Sequence, residues 1–322
     1  MSSLTIDVVI CTRNRGSFVN DTLHSLQENH RKEFQVFVVD QSTDGGTIDI
    51  ISNYCKRDDR FHYILSPTQG LNIAHNIGVN CGIGDVIAFI DDDCRADPEW
   101  LDALLREYEQ DPEACAVFGR IFPEKAIDLL KPRHKWEDAL PMAMIDHTER
   151  RIYQKNRFNL GFGHGANMSI TRNALKKIGM FDELLGAGGW LRSFPERDLG
   201  YRILLAGGKI IYTSQAMVYH NHWREWNDVK RTHQNYAIGV GAAVGKYLRK
   251  GDLAAILILL EWFWSQGFRQ MASGVLRWGS WQKFMVGWYQ IIYPFVGLKM
   301  GSQYKLSDQF CVYLGPDEQT KS

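Results

Sequence analysis

The 322-residue chain has no surplus of charge, because 37 lysines and arginines balance 37 aspartates and glutamates. A chain that binds nucleic acid usually carries a basic excess, so the composition argues against such a partner. Its six cysteines lack Cys-x-x-Cys spacing, which argues against a zinc site or a disulfide framework and favours a reducing compartment. No charged leader with an apolar core opens the chain. We therefore predict a cytoplasmic protein.

Two common nucleotide-binding motifs are also missing. The chain contains no Gly-x-x-x-x-Gly-Lys-Ser/Thr run, which would indicate a P-loop. The glycines at 161, 163 and 165 and at 239 and 241 do not have the Gly-x-Gly-x-x-Gly spacing of a dinucleotide fold. Neither of these two nucleotide-binding folds is supported.

Apolar runs that predict strands alternate with segments of helical periodicity along the first part of the chain. Strands are predicted at 8–11, 36–39, 63–65, 86–90 and 116–121, and helices at 17–27, 47–56, 70–81 and 98–110. Ser17 is expected to cap the first of these helices. The alternation predicts an α/β fold with a mostly parallel central sheet.

Three carboxylates, Asp91, Asp92 and Asp93, follow the predicted buried strand at 86–90. Ligands of open α/β sheets bind at the carboxyl ends of the strands, and Mg²⁺ and Mn²⁺ prefer oxygen ligands. If the run is extended, Asp91 and Asp93 point to one side and share a metal with its phosphate-bearing ligand. The alternative is an acidic turn before the helix that begins near Pro98.

Four blocks around this run resemble glycosyltransferase family 2, the inverting nucleotide-sugar transferases of GT-A fold. The blocks lie at 7–15, at 38–45, at 70–78 with 84–93, and at 165–168 with 179–183 and 196–202. Each block alone is a weak signal, but their order and spacing together are specific. The resemblance implies a GT-A catalytic domain over 1–222. It says little about the rest, where the residues themselves predict a helical C-terminal region over 223–322.

The resemblance also implies contacts to a nucleotide-diphosphate sugar donor. Asp40 would accept a hydrogen bond from a ring N–H of the nucleobase, or, alternatively, only stabilise the turn at 42–45. The other implied donor contacts are Thr12, Arg15, Asn76, Asp91, Asp92 and Asn167. For Arg15 the alternative is a solvated loop charge. The family often has arginine where this chain has His75, which weakens the case for a phosphate or sugar contact there.

Asp93, Asp91 and His220 are the metal ligands that the resemblance implies, and the metal would be Mn²⁺ or Mg²⁺. The metal would act as a Lewis acid on the donor diphosphate. His220 follows a strand predicted at 216–219, and His222 would share its face on an extended segment. The alternative for both histidines is a packed or surface role.

An inverting transfer also needs a base that takes the proton of the acceptor hydroxyl. The family's Glu-Asp-x-Asp-Leu motif aligns with 195–199, which puts Glu196 at the base position and a proline at the preceding acid. Asp198 is the competing candidate. Pro195 followed by acids is also a good helix start, so the alternative is that both acids only favour the helix dipole.

Two further segments are expected to lie near the substrates. The glycine-rich run at 161–168 would let backbone approach the donor closely. Residues 124–160 hold charges and prolines without clear periodicity, and we predict an acceptor-side loop there.

The last hundred residues differ in character from the rest. The apolar runs at 253–264 and 284–298 are too short to span a bilayer comfortably. Five of the ten tryptophans and four basic residues accompany them: Trp262, Trp264, Trp278, Trp281, Trp288, Arg269, Arg277, Lys283 and Lys299. This combination predicts a peripheral contact with the cytoplasmic face of a membrane. The alternative is packing on the catalytic domain or on a second subunit of a homo-oligomer.

The sequence thus predicts a metal-dependent inverting glycosyltransferase that acts on a glycan or lipid-linked acceptor in cell-surface glycan or lipid-linked saccharide synthesis. Two alternatives remain open at this point. A nucleotidyltransferase on a similar sheet would release pyrophosphate instead of a nucleoside diphosphate. A non-catalytic scaffold that binds sugar nucleotides or membrane would not need Asp91, Asp93 and Glu196.

Overall fold

The computed structural model describes residues 4–124, 144–221, 226–276 and 280–315. These residues fall into two compact units. The first contains 4–124, 144–180 and 199–221, and the second contains 181–198, 226–276 and 280–315. Residues 181–198 therefore group with the C-terminal helices, although the sequence placed them in the catalytic domain. The predicted boundary at 222 stays a prediction.

A nine-stranded sheet forms the centre of the first unit in the described part of the chain. Its strands are β1 (Ile6–Thr12), β2 (Gln35–Asp40), β3 (Phe61–Leu65), β4 (Val86–Ile90), β5 (Cys94–Ala96), β6 (Ala114–Pro123), β7 (Arg151–Tyr153), β8 (Asn167–Thr171) and β9 (Lys209–His220). Their order is β3-β2-β1-β4-β8-β6-β9-β5, and β7 pairs with β9. The strands from β3 to β4 are parallel, as are β6 and β9, whereas β5, β7 and β8 are antiparallel to their partners. The predicted mixed sheet with mostly parallel strands is confirmed.

Helices connect the strands. In the segments between the apolar runs, apolar residues recur with the helical period, which favours helices there. They are α1 (Gly16–Gln27), α2 (Gly46–Cys55), α3 (Leu71–Cys81), α4 (Trp100–Gln110), α5 (Arg172–Ile178) and α6 (Pro195–Leu205), whose first four residues belong to the second unit. In α4, Trp100, Leu101, Leu104, Leu105 and Tyr108 form one buried stripe. This stripe packs into the core that contains the residues of β1 and β4.

Several local predictions differ from the structure. Arg15 occupies the N-cap position of α1, where its side chain makes no capping hydrogen bond, so the predicted cap at Ser17 is wrong. The predicted loop at 124–160 contains β7, which was too short to give a periodic signal. Its residues 125–143 lie outside the described residues, and its role beside the acceptor stays a prediction.

The second unit is helical, as predicted for the C-terminal region. It contains α7 (Trp226–Arg249), a short 3₁₀ turn (Leu253–Ala255), α8 (Ile256–Trp262), a π-helical segment (Phe263–Phe268), α9 (Arg269–Leu276) and α10 (Trp281–Gly301). Helices α7 and α10 touch through backbone: a Cβ on Gly241 would lie 1.9 Å from the Pro294 carbonyl oxygen, and one on Gly297 would lie 1.9 Å from that of Ile238. In the part of the chain that the structure describes, no helix has the length and apolarity needed to cross a membrane.

Candidate active site

The three carboxylates after β4 lie on a turn and not on an extended run. Asp92 and Asp93 form the turn, which is closed by a 3.2 Å hydrogen bond from the Cys94 N–H to the Asp91 carbonyl, and β5 follows at once. The expectation that Asp91 and Asp93 share a face through strand alternation is therefore wrong. Asp91 is half-buried, whereas Asp92 and Asp93 are buried.

Asp92 connects this turn to the end of β1. One of its carboxylate oxygens accepts a hydrogen bond from the Thr12 hydroxyl at 2.8 Å, and the other lies 2.9 Å from the Arg15 guanidinium. Burial raises the pKa of Asp92 to about 6, although the Arg15 charge opposes the shift. Arg15 is also 3.4 Å from Asp93, so it is an ion-paired residue and not a solvated loop charge. Donor contacts from Thr12, Arg15 and Asp92 stay predictions.

Asp93 and His220 come together because β5 and β9 are antiparallel neighbours. Cys94 and His220 are directly paired in this register, and the Asn221 N–H donates to the Asp93 carbonyl at 2.9 Å. The His220 Nε2 atom lies 3.4 Å from Asp93 Oδ1, and both side chains are 2% exposed. The sequence predicted this pair from strand ends that are far apart in the chain.

A metal ion fits the side chains at this point. Among the described residues, Asp93, Cys94 and His220 offer ligand atoms within 4.8 Å of one another, and Asp91 is not part of the group. Burial and the neighbouring carboxylates raise the pKa of the Cys94 thiol well above its usual value. A carboxylate with an imidazole suits Mn²⁺ better than a sulfur site would. His222 lies outside the described residues.

Asp40 is buried at the end of β2, and both of its oxygens have partners inside the fold. One accepts the Ser42 backbone N–H at 2.8 Å, and the other accepts the Tyr63 hydroxyl at 3.2 Å. Burial and the Asp40 charge raise the pKa of Tyr63 to about 12, which keeps that hydroxyl a donor. The turn-stabilising role considered for Asp40 is present, and the nucleobase contact stays a prediction.

Asn167 was expected to bind the donor, but its side chain is used inside the sheet. It accepts a hydrogen bond from the Trp100 indole at 2.8 Å and donates to the carbonyls of Arg120 and Ala216, both at 2.9 Å. Both amide N–H groups are thus occupied and the residue is fully buried. We interpret Asn167 as a residue that ties β8 to α4, β6 and β9.

Packing explains one of the glycines in the glycine-rich run at 161–168. A Cβ on Gly163 would lie 2.4 Å from the Phe118 side chain, so no larger residue fits there without displacement. Gly161 is exposed and would meet only Asn159, at 3.4 Å. The predicted backbone approach to the donor stays a prediction.

In the second unit, the first turn of α6 carries both candidate bases in different surroundings. Asp198 is 1% exposed, lies 2.7 Å from the Lys246 ammonium and accepts the Tyr247 hydroxyl at 2.8 Å. No described residue forms an ion pair or hydrogen bond with the Glu196 carboxylate, which is also largely buried. The sequence analysis missed Lys246; the available signal was the run of apolar residues and glycines at 237–244 that precedes it.

The comparisons with known proteins decide the family. The glycosyl transferase family 2 model matches residues 7–179. The chain belongs to glycosyltransferase family 2. This membership removes the support for a nucleotidyltransferase and for a non-catalytic scaffold.

Two curated relatives and one solved structure are similar to the chain. A glucosyl-dolichyl phosphate glucuronosyltransferase of Haloferax volcanii is 28% identical over 221 residues, which are 67% of this chain and 69% of that protein. A GalNAc(5)-diNAcBac-PP-undecaprenol beta-1,3-glucosyltransferase of Campylobacter jejuni is 28% identical over 39% of this chain and 41% of its own length. The mannosyltransferase PcManGT of Pyrobaculum calidifontis, in complex with GDP-Man and Mn²⁺, matches with a TM-score of 0.61 at 14% identity, covering 94% of this chain and 88% of that one. The structural match confirms the predicted GT-A fold.

The position where the family often has arginine holds a neutral side chain in this glycosyltransferase. His75 in α3 is buried, and its ring packs edge-on against Phe89 with 4.9 Å between the ring centroids. Burial lowers the pKa of His75 to about 3. The residue therefore contributes no positive charge at neutral pH. Asn76, the next residue, is also buried, and its donor contact stays a prediction.

Replacing His75 should change how stability depends on pH. Between pH 6.5 and 3 the unfolded chain binds a proton at this residue and the folded chain does not, so the free energy of unfolding falls as the pH falls. In His75→Gln this slope should be smaller by about 1.4 kcal/mol per pH unit. Denaturant unfolding at several pH values measures the slope. The exposed His24→Gln is the control, and equal slopes for His75→Gln and the parent would contradict the prediction.

Proposed function

We propose that this family 2 glycosyltransferase moves a sugar, with inversion and with Mn²⁺ or Mg²⁺, from a nucleotide-diphosphate sugar to a hydroxyl of a glycan or lipid-linked acceptor. The observation that carries the proposal is the buried Asp93–His220 pair at the exit of β4. The dolichyl and undecaprenol carriers in the names of the two relatives support a lipid-linked acceptor. The GDP-Man and Mn²⁺ of the Pyrobaculum complex support the donor class and the metal.

Asp93 and His220 would hold the metal, which would stabilise negative charge on the departing diphosphate as a Lewis acid. Asp91 is the residue of this turn with the most solvent access, which suits a contact with the donor ribose. Thr12 and Arg15 hold Asp92 in place.

Glu196 is the proposed base. As the acceptor oxygen bonds to the anomeric carbon, its proton passes to the Glu196 carboxylate, and the bond from that carbon to the diphosphate breaks with its electrons leaving on phosphate. Asp198 is less suited to this role because its carboxylate is ion-paired with the Lys246 ammonium and accepts a hydrogen bond from the Tyr247 hydroxyl.

Removal of the metal ligand tests the donor site. UDP or GDP with Mn²⁺ should raise the melting temperature of the parent protein, because a ligand that binds only the folded state stabilises it. Asp93→Ala should lose the Mn²⁺-dependent part of this shift and all transfer activity, whereas Asp59→Ala, which removes an exposed carboxylate of the same unit, should keep both. A full Mn²⁺-dependent shift in Asp93→Ala would remove Asp93 from the site.

Substitution of the candidate bases separates their roles. Glu196→Gln keeps the size of the side chain but cannot take a proton, so turnover should fall by about 10²–10⁴ with little change in donor affinity. Turnover and nucleotide binding are measured together, in parallel with Asp198→Asn. If only Asp198→Asn lost turnover with a normal affinity, the assignment of the motif would be wrong by two residues.

We further propose a peripheral membrane contact through an aromatic face of the second unit. Trp264 and Trp281 are each 70% exposed, and Trp288 is 45% exposed. A groove of about 760 Å³ is lined by Trp264, Phe268, Leu276, Arg269 and Lys283 among others. Apolar surface beside basic groups is complementary to an anionic lipid interface.

Two parts of the original expectation need adjustment. Trp262 is 6% exposed, donates to Gln290 at 3.0 Å and packs edge-on against Phe194, so it belongs to the interior of the unit. Arg277 and Trp278 lie outside the described residues. The cytoplasmic location and the homo-oligomer stay predictions.

Flotation with vesicles tests the membrane proposal. The parent protein should float with phosphatidylglycerol–phosphatidylcholine vesicles, in part through Arg269 and Lys283 at about 1 kcal/mol per well-placed charge, and high salt should weaken the binding. Replacement of Trp264, Trp281 and Trp288 by serine should abolish most of it, and the exposed Ile83→Ser in the first unit should not. A protein that ignores vesicles at any salt, and forms a dimer that the tryptophan substitutions dissociate, would identify a subunit interface instead.

A further inference from the structure

Lys246 of α7 is fully buried and lies between two carboxylates. Its ammonium is 2.6 Å from Asp182 Oδ2 and 2.7 Å from Asp198 Oδ1, and all three side chains are at most 1% exposed. Lysine is rarely buried completely unless it is paired, because its charge loses the solvation of water. Both partners belong to sequence blocks that carry the family resemblance, whereas Lys246 comes from the helical C-terminal region.

Further hydrogen bonds fix both carboxylates. Asp198 also accepts the Tyr247 hydroxyl at 2.8 Å. Asp182 also accepts the backbone N–H groups of Tyr313, at 2.9 Å, and of Leu184, at 3.2 Å. The cluster therefore joins α7 and the end of the described chain to the two ends of residues 182–198.

The segment between the two acids needs such external contacts. It consists of turns up to Pro195, and two of its non-glycine residues, Arg192 and Phe194, have φ angles of 76° and 84°. Residues other than glycine rarely adopt positive φ angles, so the local sequence alone does not stabilise the conformation of this segment. The segment ends in the first turn of α6, which carries Glu196 two residues before Asp198.

We propose that Lys246 is a positioning residue for the base. By holding Asp182 and Asp198, it fixes both ends of the segment and so sets where the Glu196 carboxylate lies, without touching the substrate. The proposal rests on the proposed function, in which Glu196 takes the acceptor proton. Without the ammonium, two buried like charges would repel each other, and the first turn of α6 would lose its attachment to α7.

Three variants and one control test the proposal in the full-length protein. Lys246→Met removes the charge but keeps most of the side-chain length. Tyr247→Phe removes one hydrogen bond to Asp198 with little risk to folding. Lys246→Met combined with Asp198→Asn removes the cation together with one of its two carboxylates. The control, Arg231→Met, removes an exposed charge from the same helix.

The melting temperature and three further properties are measured for each variant. Calorimetric titration with UDP–Mn²⁺ and GDP–Mn²⁺ reports nucleotide binding. Release of nucleoside diphosphate from UDP-glucose and from GDP-mannose, with transfer to water, gives kcat and the donor KM. Hydrogen exchange of peptides within 183–198 reports how firmly the segment is held.

In Lys246→Met, kcat should fall about 10²-fold, the loss expected when a reacting group is displaced by about 1 Å. Nucleotide affinity and donor KM should stay within about twofold of the parent, and exchange within 183–198 should become faster. Tyr247→Phe should show the same pattern with a loss of about threefold to tenfold. The double variant should regain melting temperature but not kcat, and Arg231→Met should match the parent.

Three kinetic outcomes would overturn the proposal: an unchanged kcat in Lys246→Met, a kcat that returns with stability in the double variant, or, if Lys246→Met does not fold, an unchanged kcat in Tyr247→Phe. Failure of the proposed function looks different. In that case Glu196→Gln would keep the parent kcat, or the parent would release no nucleoside diphosphate from either donor. Unchanged exchange within 183–198 in Tyr247→Phe and Lys246→Met would reject the anchoring itself, whatever the activity.

Discussion

A buried carboxylate needs a cation or hydrogen-bond donors beside it, because burial of the charge without such partners costs several kcal/mol. Each unit of this glycosyltransferase meets this constraint in the same way, with one basic side chain shared by two buried carboxylates. In the first unit Arg15 lies between Asp92 and Asp93. In the second, Lys246 lies between Asp182 and Asp198. These ion pairs connect elements that are distant in the chain: the β4 turn with the end of β1, and α7 with residues 182–198.

The two carboxylates of the β4 turn differ because their remaining partners differ. Asp92 accepts the Thr12 hydroxyl, whereas Asp93 faces the imidazole of His220. In the proposed mechanism Asp93 would therefore hold the metal together with His220, whereas Asp92 is bound to Thr12 and Arg15. The division of roles depends on β9, because only its antiparallel pairing with β5 brings His220 beside the turn.

Much of the first unit could be predicted from the sequence, because hydrophobic period and turn residues are local signals. Strand β4 and the run of helices α1 to α3 were predicted within one or two residues. The turn at Asp92 and Asp93 was considered only as the alternative to an extended run, because a run of three carboxylates does not by itself distinguish the two conformations. The role of Asn167 depends on Trp100, Arg120 and Ala216, which are distant in the chain.

In the candidate site, too, only residues with a local sequence signal could be predicted. The carboxylates and His220 were recognisable because they follow strands in blocks that resemble a family. Lys246 was not, since it lies 64 residues from Asp182 in a helix whose sequence reads as structural. Long-range ion pairs of this kind leave no periodic trace, and a buried lysine looks like a surface lysine until the packing around it is known.

The backbone contact between α7 and α10 bears on how this protein can diverge. At Gly241 and Gly297 any side chain would have to push the two helices apart. Lys246 is five residues beyond Gly241, about 7.5 Å along the same helix, and would move with it. Substitution of either glycine would therefore also affect the first turn of α6, whereas the outward side of α10, with Trp288 and Phe295, carries no such penalty. Substitutions on the outer side of α10 can therefore accumulate while Gly241 and Gly297 remain unchanged.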